Sequence, residues 1–190
     1  MSYFDSPENV ENYIQMADGY DGRDLVQRLK KILAPDSSVL ELGMGPGKDL
    51  LMLGECYHAT GSDNSSVFLE RFRKEHPQAD LLQLDAVKMD TSRTFDCVYS
   101  NKVLHHLSPE ELSLSFKNQR SVLKNGGILF HTFWYGDKKE VHEGMQFFYY
   151  TKESLLNVLG DSFEIFEFEQ YTEMEENDSF FVILKLRQQG

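Results

Sequence analysis

The richest chemistry in this chain lies in Val39-Leu-Glu-Leu-Gly43-Met-Gly45-Pro-Gly47-Lys-Asp-Leu50. There an apolar run meets three glycines at alternate positions and then a helix-like stretch. Glycine lets the backbone turn sharply and approach a ligand with no Cβ in the way, and the following helix start offers free N–H groups. The spacing selects among ligands. A dinucleotide fingerprint reads G-x-G-x-x-G, and here the third glycine comes one residue early. A phosphate-cradling Walker loop needs Lys followed by Ser or Thr, and Lys48 is followed by Asp49. Glu41 at the strand end repels a pyrophosphate and suits a ligand that carries a cationic group.

Further acids and hydroxyls stand at the ends of other apolar runs: Thr60-Gly-Ser-Asp63-Asn64, Leu84-Asp85-Ala86 and Tyr99-Ser100-Asn101. His105 and His106 follow the last of these. The elements that must position them alternate. Short runs at Ser38–Leu42, Cys56–Ser62, Asp80–Leu84, Phe95–Ser100 and Gly127–Trp134 are separated by helix-like stretches at Lys48–Gly54, Ser65–His76, Pro109–Leu123 and Thr151–Leu159. That spacing predicts βαβ units on a parallel sheet. Ser108-Pro109-Glu110-Glu111 and Thr151-Lys-Glu153 read as helix starts, and Asn125-Gly126-Gly127 as a stop. At the carboxyl end, Phe163–Tyr171 and Phe180–Leu186 flank an acidic turn at Glu173–Asp178, so one strand of that hairpin must run antiparallel to the rest. Before the sheet, Ser6-Pro7-Glu8 caps a short helix, and Arg23–Leu33 carries a stripe of Leu25, Val26, Leu29, Ile32 and Leu33. The expectation is one domain over 1–190, with a helical cover at 1–34 and an α/β core at 35–190.

Composition narrows the classes. The chain has 190 residues, 41% of them hydrophobic, and can bury a sizeable core. Its 31 Asp+Glu against 19 Lys+Arg leave a net charge of -12, which disfavours polynucleotides and anionic membranes as partners. Cys56 and Cys97 sit in apolar runs without metal-ligand or disulfide-framework spacing, so structural thiols are expected. The first residues lack the basic and apolar regions of a signal peptide. The longest uncharged stretch, Asn125 to Gly136, is too short to span a bilayer. A cytoplasmic protein is expected, with no metal site and with an oligomeric state left open.

The ELGMGPG stretch resembles the first motif of the class I S-adenosylmethionine-dependent methyltransferases, E/D-x-G-x-G-x-G. Four further stretches resemble that family in order: Thr60–Asp63, Leu84–Ala86, Phe95–Leu107 and Leu123–Phe130. The likeness runs from about Tyr13 to Leu186. It implies a Rossmann-like α/β fold: a mostly parallel seven-stranded sheet with an antiparallel strand in its C-terminal hairpin, and helices on both faces. It implies S-adenosylmethionine as cofactor, with Gly43, Gly45 and Gly47 under its methionine and ribose. Asp63 would accept from the ribose hydroxyls, Asp85 from the adenine amino group with the Ala86 N–H at the ring, and Glu41 would order the loop near the ammonium. Asn64, Ser100 and Asn101 complete the expected contacts. Arg23, assisted by Tyr13 or Tyr20, either pairs with the methionine carboxylate or is an ordinary surface arginine.

Methyl transfer from a sulfonium needs alignment more than acid–base help. No single residue therefore identifies the acceptor. The loop after Ser100 lacks the Asn/Asp-Pro-Pro-aromatic and Pro-Cys patterns of DNA-methylating enzymes. His105 is either structural or a base. The aromatic segments Phe133–Tyr135 and Phe147–Tyr150, on either side of a polar loop at Gly136–Gly144, are either a cover over the sheet or an acceptor wall, with Tyr150 and His105 orienting a small, partly apolar acceptor. The expected function is methylation of a small molecule. A cofactor-binding protein without catalysis and a nicotinamide oxidoreductase are the rival readings.

Overall fold

The computed structural model describes residues 3–17, 19–142 and 144–187. Seven strands form one sheet: β1 (Ser38–Leu42), β2 (His58–Asp63), β3 (Leu81–Gln83), β4 (Phe95–Ser100), β5 (Leu123–Trp134), β8 (Phe163–Tyr171) and β9 (Ser179–Leu186). They are ordered β3-β2-β1-β4-β5-β9-β8, and only β9 runs against its neighbours. The chain steps outward from β1 to β3, then crosses back to β4 beside β1. The crevice at the carboxyl ends of β1 and β4 is thus the switch point where open α/β sheets place ligands.

Side-chain alternation builds two helix layers. Leu40, Leu42, Val98, Leu129, Phe133 and Val182 pack on one face against Leu112 and Phe116 of α5 (Pro109–Gln119) and Leu155 and Leu159 of α6 (Lys152–Leu159). Val39, Cys97, Tyr99, Phe130, Phe181 and Ile183 pack on the other against Leu25, Val26 and Leu29 of α2 (Arg23–Leu29) and Leu53 of α3 (Lys48–Gly54). Each fully buried apolar side chain in these layers contributes about 1.5–3 kcal/mol. A smaller cluster joins Met44 and Leu50 to Leu69 and Phe72 of α4 (Ser66–Glu75). Cys56 and Cys97 are free thiols, and burial pushes the Cys97 thiol far up.

The expected helix starts are realised. Ser108 and Glu111 form a capping box on α5, and Thr151 and Ser154 form one on α6. Three boundaries differ. α2 ends at Leu29, four residues before the expected limit, and the chain continues in turns. α5 ends at Gln119, and β5 begins at Leu123 with an irregular step opposite Phe95–Cys97, so Lys124–Gly127 loops out before regular pairing resumes at Ile128. The segment expected as a polar loop at 136–144 instead holds an antiparallel ribbon, β6 (Lys139–His142) with β7 (Met145–Phe148). The His106 ring nitrogen Nδ1, 2.8 Å from the Gln146 carbonyl, ties the ribbon to the turn after β4. Among the described residues no helix is long and apolar enough to cross a membrane.

Over the carboxyl ends of the strands lies the N-terminal cover, a 3-10 turn at Tyr3–Asp5 and α1 (Pro7–Met16). Ser65, the N-cap of α4, donates its hydroxyl to the Phe4 carbonyl at 2.6 Å. Phe4, Tyr13 and Phe68 then close into an aromatic cluster.

Candidate active site

Gly43, Gly45 and Gly47 all take left-handed backbone angles. At Gly43 a Cβ would lie 2.6 Å from both Val103 methyls, and at Gly47 it would lie 2.2 Å from the Phe72 ring, so neighbours already fill those two positions. Gly45 differs: the nearest atom to its missing Cβ is in the Tyr13 ring at 3.8 Å. The open side of the loop therefore faces the cover.

Asp63 at the end of β2 accepts from the Gly45 N–H at 3.0 Å and the Ser65 N–H at 2.9 Å. It fixes the loop with part of its accepting capacity, and a carboxylate has about four acceptor positions. Burial raises its pKa, and these backbone N–H groups oppose that rise. Glu41, on β1, is 4% exposed, and its Oε2 has no hydrogen-bond partner among the described residues. Burial and the neighbouring Asp49 and Asp63 carboxylates push its pKa well above the ordinary range. A carboxyl so placed awaits a cation.

Asp49 holds the region together, although the sequence marked it only as the residue that breaks a Walker pattern. It accepts from the Gly22 N–H at 2.8 Å, the Tyr99 hydroxyl at 2.7 Å and the Asn101 side-chain amide at 3.1 Å. It thereby ties the segment before α2 to the ends of β4 and α3. A Cβ on Gly22 would lie 2.2 Å from the Asp49 carboxylate, so glycine is what lets the segment sit there. Lys48 lies beside it and donates to the carbonyls of Ala17 and Tyr20.

The remaining residues singled out in the sequence divide. Asp85 accepts from the Val87 N–H at 2.8 Å and shapes the turn after β3, while the Ala86 carbonyl is held by Ser115 at 2.6 Å. The Asn64 carbonyl accepts from Gln83, and its side chain is exposed. Ser100 is buried away from the cleft, its hydroxyl 2.8 Å from Nδ1 of His131. His131 meets Gln119, Gln119 donates to Ser115, and Ser115 reaches Ala86. This buried relay braces the end of β4 against the turn after β3. Burial pushes the His131 pKa down to about 3, which keeps its imidazole neutral and the relay intact.

Three expected residues stand elsewhere. Arg23 points to solvent, 73% exposed and paired with Asp21, because it opens α2 on its outer side. His105 is 2% exposed, stacked on Phe147, and neither ring nitrogen has a partner among the described residues. Burial, His106 and Lys102 drive its pKa far down, so it is a neutral ring in an aromatic layer. Tyr150 is buried edge-on to Phe133, and burial pushes its hydroxyl up to about 12. The ribbon and the β5 end enclose both rings, and neither lines the two cavities at the switch point.

Two cavities meet at the switch point. One, about 130 Å³, is the cleft between the glycine loop and the cover, with Glu41, Gly43, Gly45, Lys48 and Tyr13 on its walls. The other, about 440 Å³, lies between the segment 19–28 and the β8–β9 hairpin. Tyr20, Asp21, Asn101 and Glu173 line both. Glu173 was expected in a solvated turn. Instead it sits at this junction, accepting from the Tyr171 hydroxyl at 3.2 Å and paired with Lys102 at 3.1 Å. Lys102 lies 3.4 Å from the Trp134 ring centroid, and burial lowers its pKa to about 8. Among the described residues, no group of three His, Cys, Asp or Glu side chains is arranged to hold a metal ion.

Residues 39–127 match a family model described as a methyltransferase domain. No curated protein matches the chain by sequence. Solved structures match by fold. An S-adenosylmethionine-dependent methyltransferase from Clostridium acetobutylicum is 13% identical, with a TM-score of 0.74 over 93% of this chain and 98% of that one. The 1,6-didemethyltoxoflavin-N1-methyltransferase of Burkholderia thailandensis is 16% identical, with a TM-score of 0.78 over 94% of this chain and 83% of that one. A glycopeptide N-methyltransferase complexed with S-adenosylmethionine is 15% identical, with a TM-score of 0.72 over 90% of this chain and 89% of that one.

Proposed function

We propose that the chain is a class I S-adenosylmethionine-dependent methyltransferase whose cleft binds S-adenosylmethionine and whose methyl acceptor is a small molecule; the match of residues 39–127 to a methyltransferase domain and the fold shared with such enzymes support this reading. The observation that carries the reading is Glu41. A buried carboxyl with an unpartnered oxygen on the floor of a glycine-loop cleft favours a cofactor with an ammonium group over one with a pyrophosphate there. When bound, the cofactor supplies an electrophilic methyl on sulfur.

The chain's own residues do the rest. Asp63 keeps acceptor capacity for ribose hydroxyls while it holds Gly45 in place. The turn at Asp85 and Ala86, braced by the His131 relay, presents the adenine side. Gly43, Gly47 and Asn101 shape the floor through their packing and their bonds to Val103, Phe72 and Asp49. The methionine carboxylate falls to Lys48, which already lies on the cleft wall, in place of the outward-facing Arg23. Tyr20 stands between the two cavities and closes on whatever enters the larger one.

Calorimetry with S-adenosylhomocysteine tests this. Asp63→Ala should weaken binding by about 1.5–3 kcal/mol, the range for hydrogen bonds to a charged acceptor. Lys48→Met should weaken S-adenosylhomocysteine more than methylthioadenosine, which lacks the carboxylate, and Arg23→Ala should leave both unchanged. Binding of NAD with no response to S-adenosylhomocysteine would overturn the cofactor assignment.

A further inference from the structure

The larger cavity has a charge that the methyl-transfer reading does not explain. At about 440 Å³ it lies within the roughly 300–1,000 Å³ of small-molecule sites, and it opens directly onto the cofactor cleft. Four of its lining residues are carboxylates: Asp21 and Asp24 from the cover side, Glu169 and Glu173 from the hairpin. One lining cation, Arg28, faces them, and it is shared between Glu169 at 2.7 Å and Glu167 at 2.8 Å. Asp24 has no ion-pair partner among the described residues.

The neutral part of the wall includes the aromatic rings of Tyr20 and Tyr171, with the buried Phe181 ring behind Arg28. Those faces already serve the chain's own cations. The Arg28 guanidinium lies 4.5 Å from the Phe181 centroid, and the Lys102 ammonium lies 5.6 Å from that of Tyr171. Carboxylates at the rim and aromatic faces behind them form the environment that holds an organic cation, because the ring quadrupole and the carboxylate attract the same charge. Carboxylates outnumber the one lining cation four to one, so an anionic acceptor would meet net repulsion in this cavity.

We propose that this chamber is the acceptor site and takes a small organic amine, bound as its ammonium, with the nitrogen directed to Glu173 at the junction of the two cavities. The assignment rests on the methyltransferase reading for the nitrogen's fate, but not for the binding selectivity. The ammonium releases one proton to the Glu173 carboxylate. The freed lone pair forms the N–C bond to the methyl carbon as the S–C bond breaks and leaves its electron pair on sulfur. Glu173 then passes the proton to water. Lys102 and Tyr171 hold the Glu173 carboxylate in position and are positioning residues.

The test titrates tyramine, its amine-free analogue 4-ethylphenol and the anion 3-(4-hydroxyphenyl)propionate into the full chain, with and without S-adenosylhomocysteine. Tyramine should bind at least about tenfold more tightly than either of the others in both conditions. Glu173→Gln should remove most of that preference. Asp24→Asn, an isosteric change at an exposed position in the first turn of α2, should reduce it by a few-fold, so the proposal stays open to refutation if the Glu173 variant misfolds. Equal binding of all three probes, a preference for the anion, or an Asp24 variant and a folded Glu173 variant that both keep the full preference would overturn the proposal. Failure of S-adenosylhomocysteine to bind while tyramine selectivity persists would instead overturn the cofactor reading and leave the cation site standing.

Discussion

Glu41, Asp49 and Asp63 place three carboxyls around one small cleft, and only two of them have their hydrogen bonds supplied. The unfavourable member is Glu41, whose raised pKa has a definite sign for stability. A carboxyl that binds its proton more tightly when folded stabilises the fold fully below its unfolded pKa, and that contribution is lost as pH rises toward the folded value. The ligand-free protein should therefore lose stability from about pH 4.5 upward through Glu41. Glu41→Gln should abolish that slope and stabilise the ligand-free chain at neutral pH by about 1–3 kcal/mol, the scale of an unsatisfied buried group. The same substitution should weaken S-adenosylmethionine. Urea titrations between pH 5 and 8, with and without ligand, read both effects. A variant less stable than wild type at pH 8 would mean that the Glu41 carboxylate has a stabilising partner in the ligand-free fold.

Among the elements, the cover sets access. With Tyr13 seated over Gly45 the cleft offers about 130 Å³, below the roughly 300 Å³ at which small-molecule sites begin, so loading a nucleoside-sized ligand is expected to displace α1. The Phe4–Tyr13–Phe68 cluster resists that movement. Tyr13→Ala should speed association of S-adenosylhomocysteine in stopped flow and speed its dissociation more. An unchanged association rate would show that loading does not pass under the cover. The same region separates what the residue order discloses from what it does not. Glycine spacing, capping boxes at Ser108 and Thr151, and apolar runs are local signals, and they located the sheet, the loop and the start of each helix from α1 to α6 within a residue. The β6–β7 ribbon was hidden because all four residues of its first strand are exposed and show no apolar alternation. Asp49, Lys102 and Glu173 were hidden for another reason: their partners lie tens of residues away and meet only when the sheet is assembled. His105 and Tyr150 showed the converse, since polar types near a strand end look catalytic until packing turns them inward.

For the whole molecule, the net charge of -12 acts on folding and on binding with opposite signs. Mutual repulsion among surplus carboxylates opposes the compact state, while the same field draws a cation toward the chamber mouth. Salt screens both, since the Debye length falls from about 30 Å at 0.01 M to about 3 Å at 1 M. The local pairs are too weak to reverse this: pairs such as Arg28 with Glu167 and Glu169 and Arg71 with Glu11 are partly exposed, and exposed pairs are worth about 0–1 kcal/mol each. One titration with sodium chloride should therefore move two observables in opposite directions. The midpoint of thermal unfolding should rise between 0.02 and 0.5 M salt as self-repulsion is screened. Over the same range the affinity for tyramine should fall, while that for neutral 4-ethylphenol stays level. A melting temperature that falls together with tyramine affinity would show that the surface ion pairs outweigh the surplus charge. An ammonium affinity insensitive to salt would place the recognition in cation–aromatic contact alone and remove the long-range field from the account.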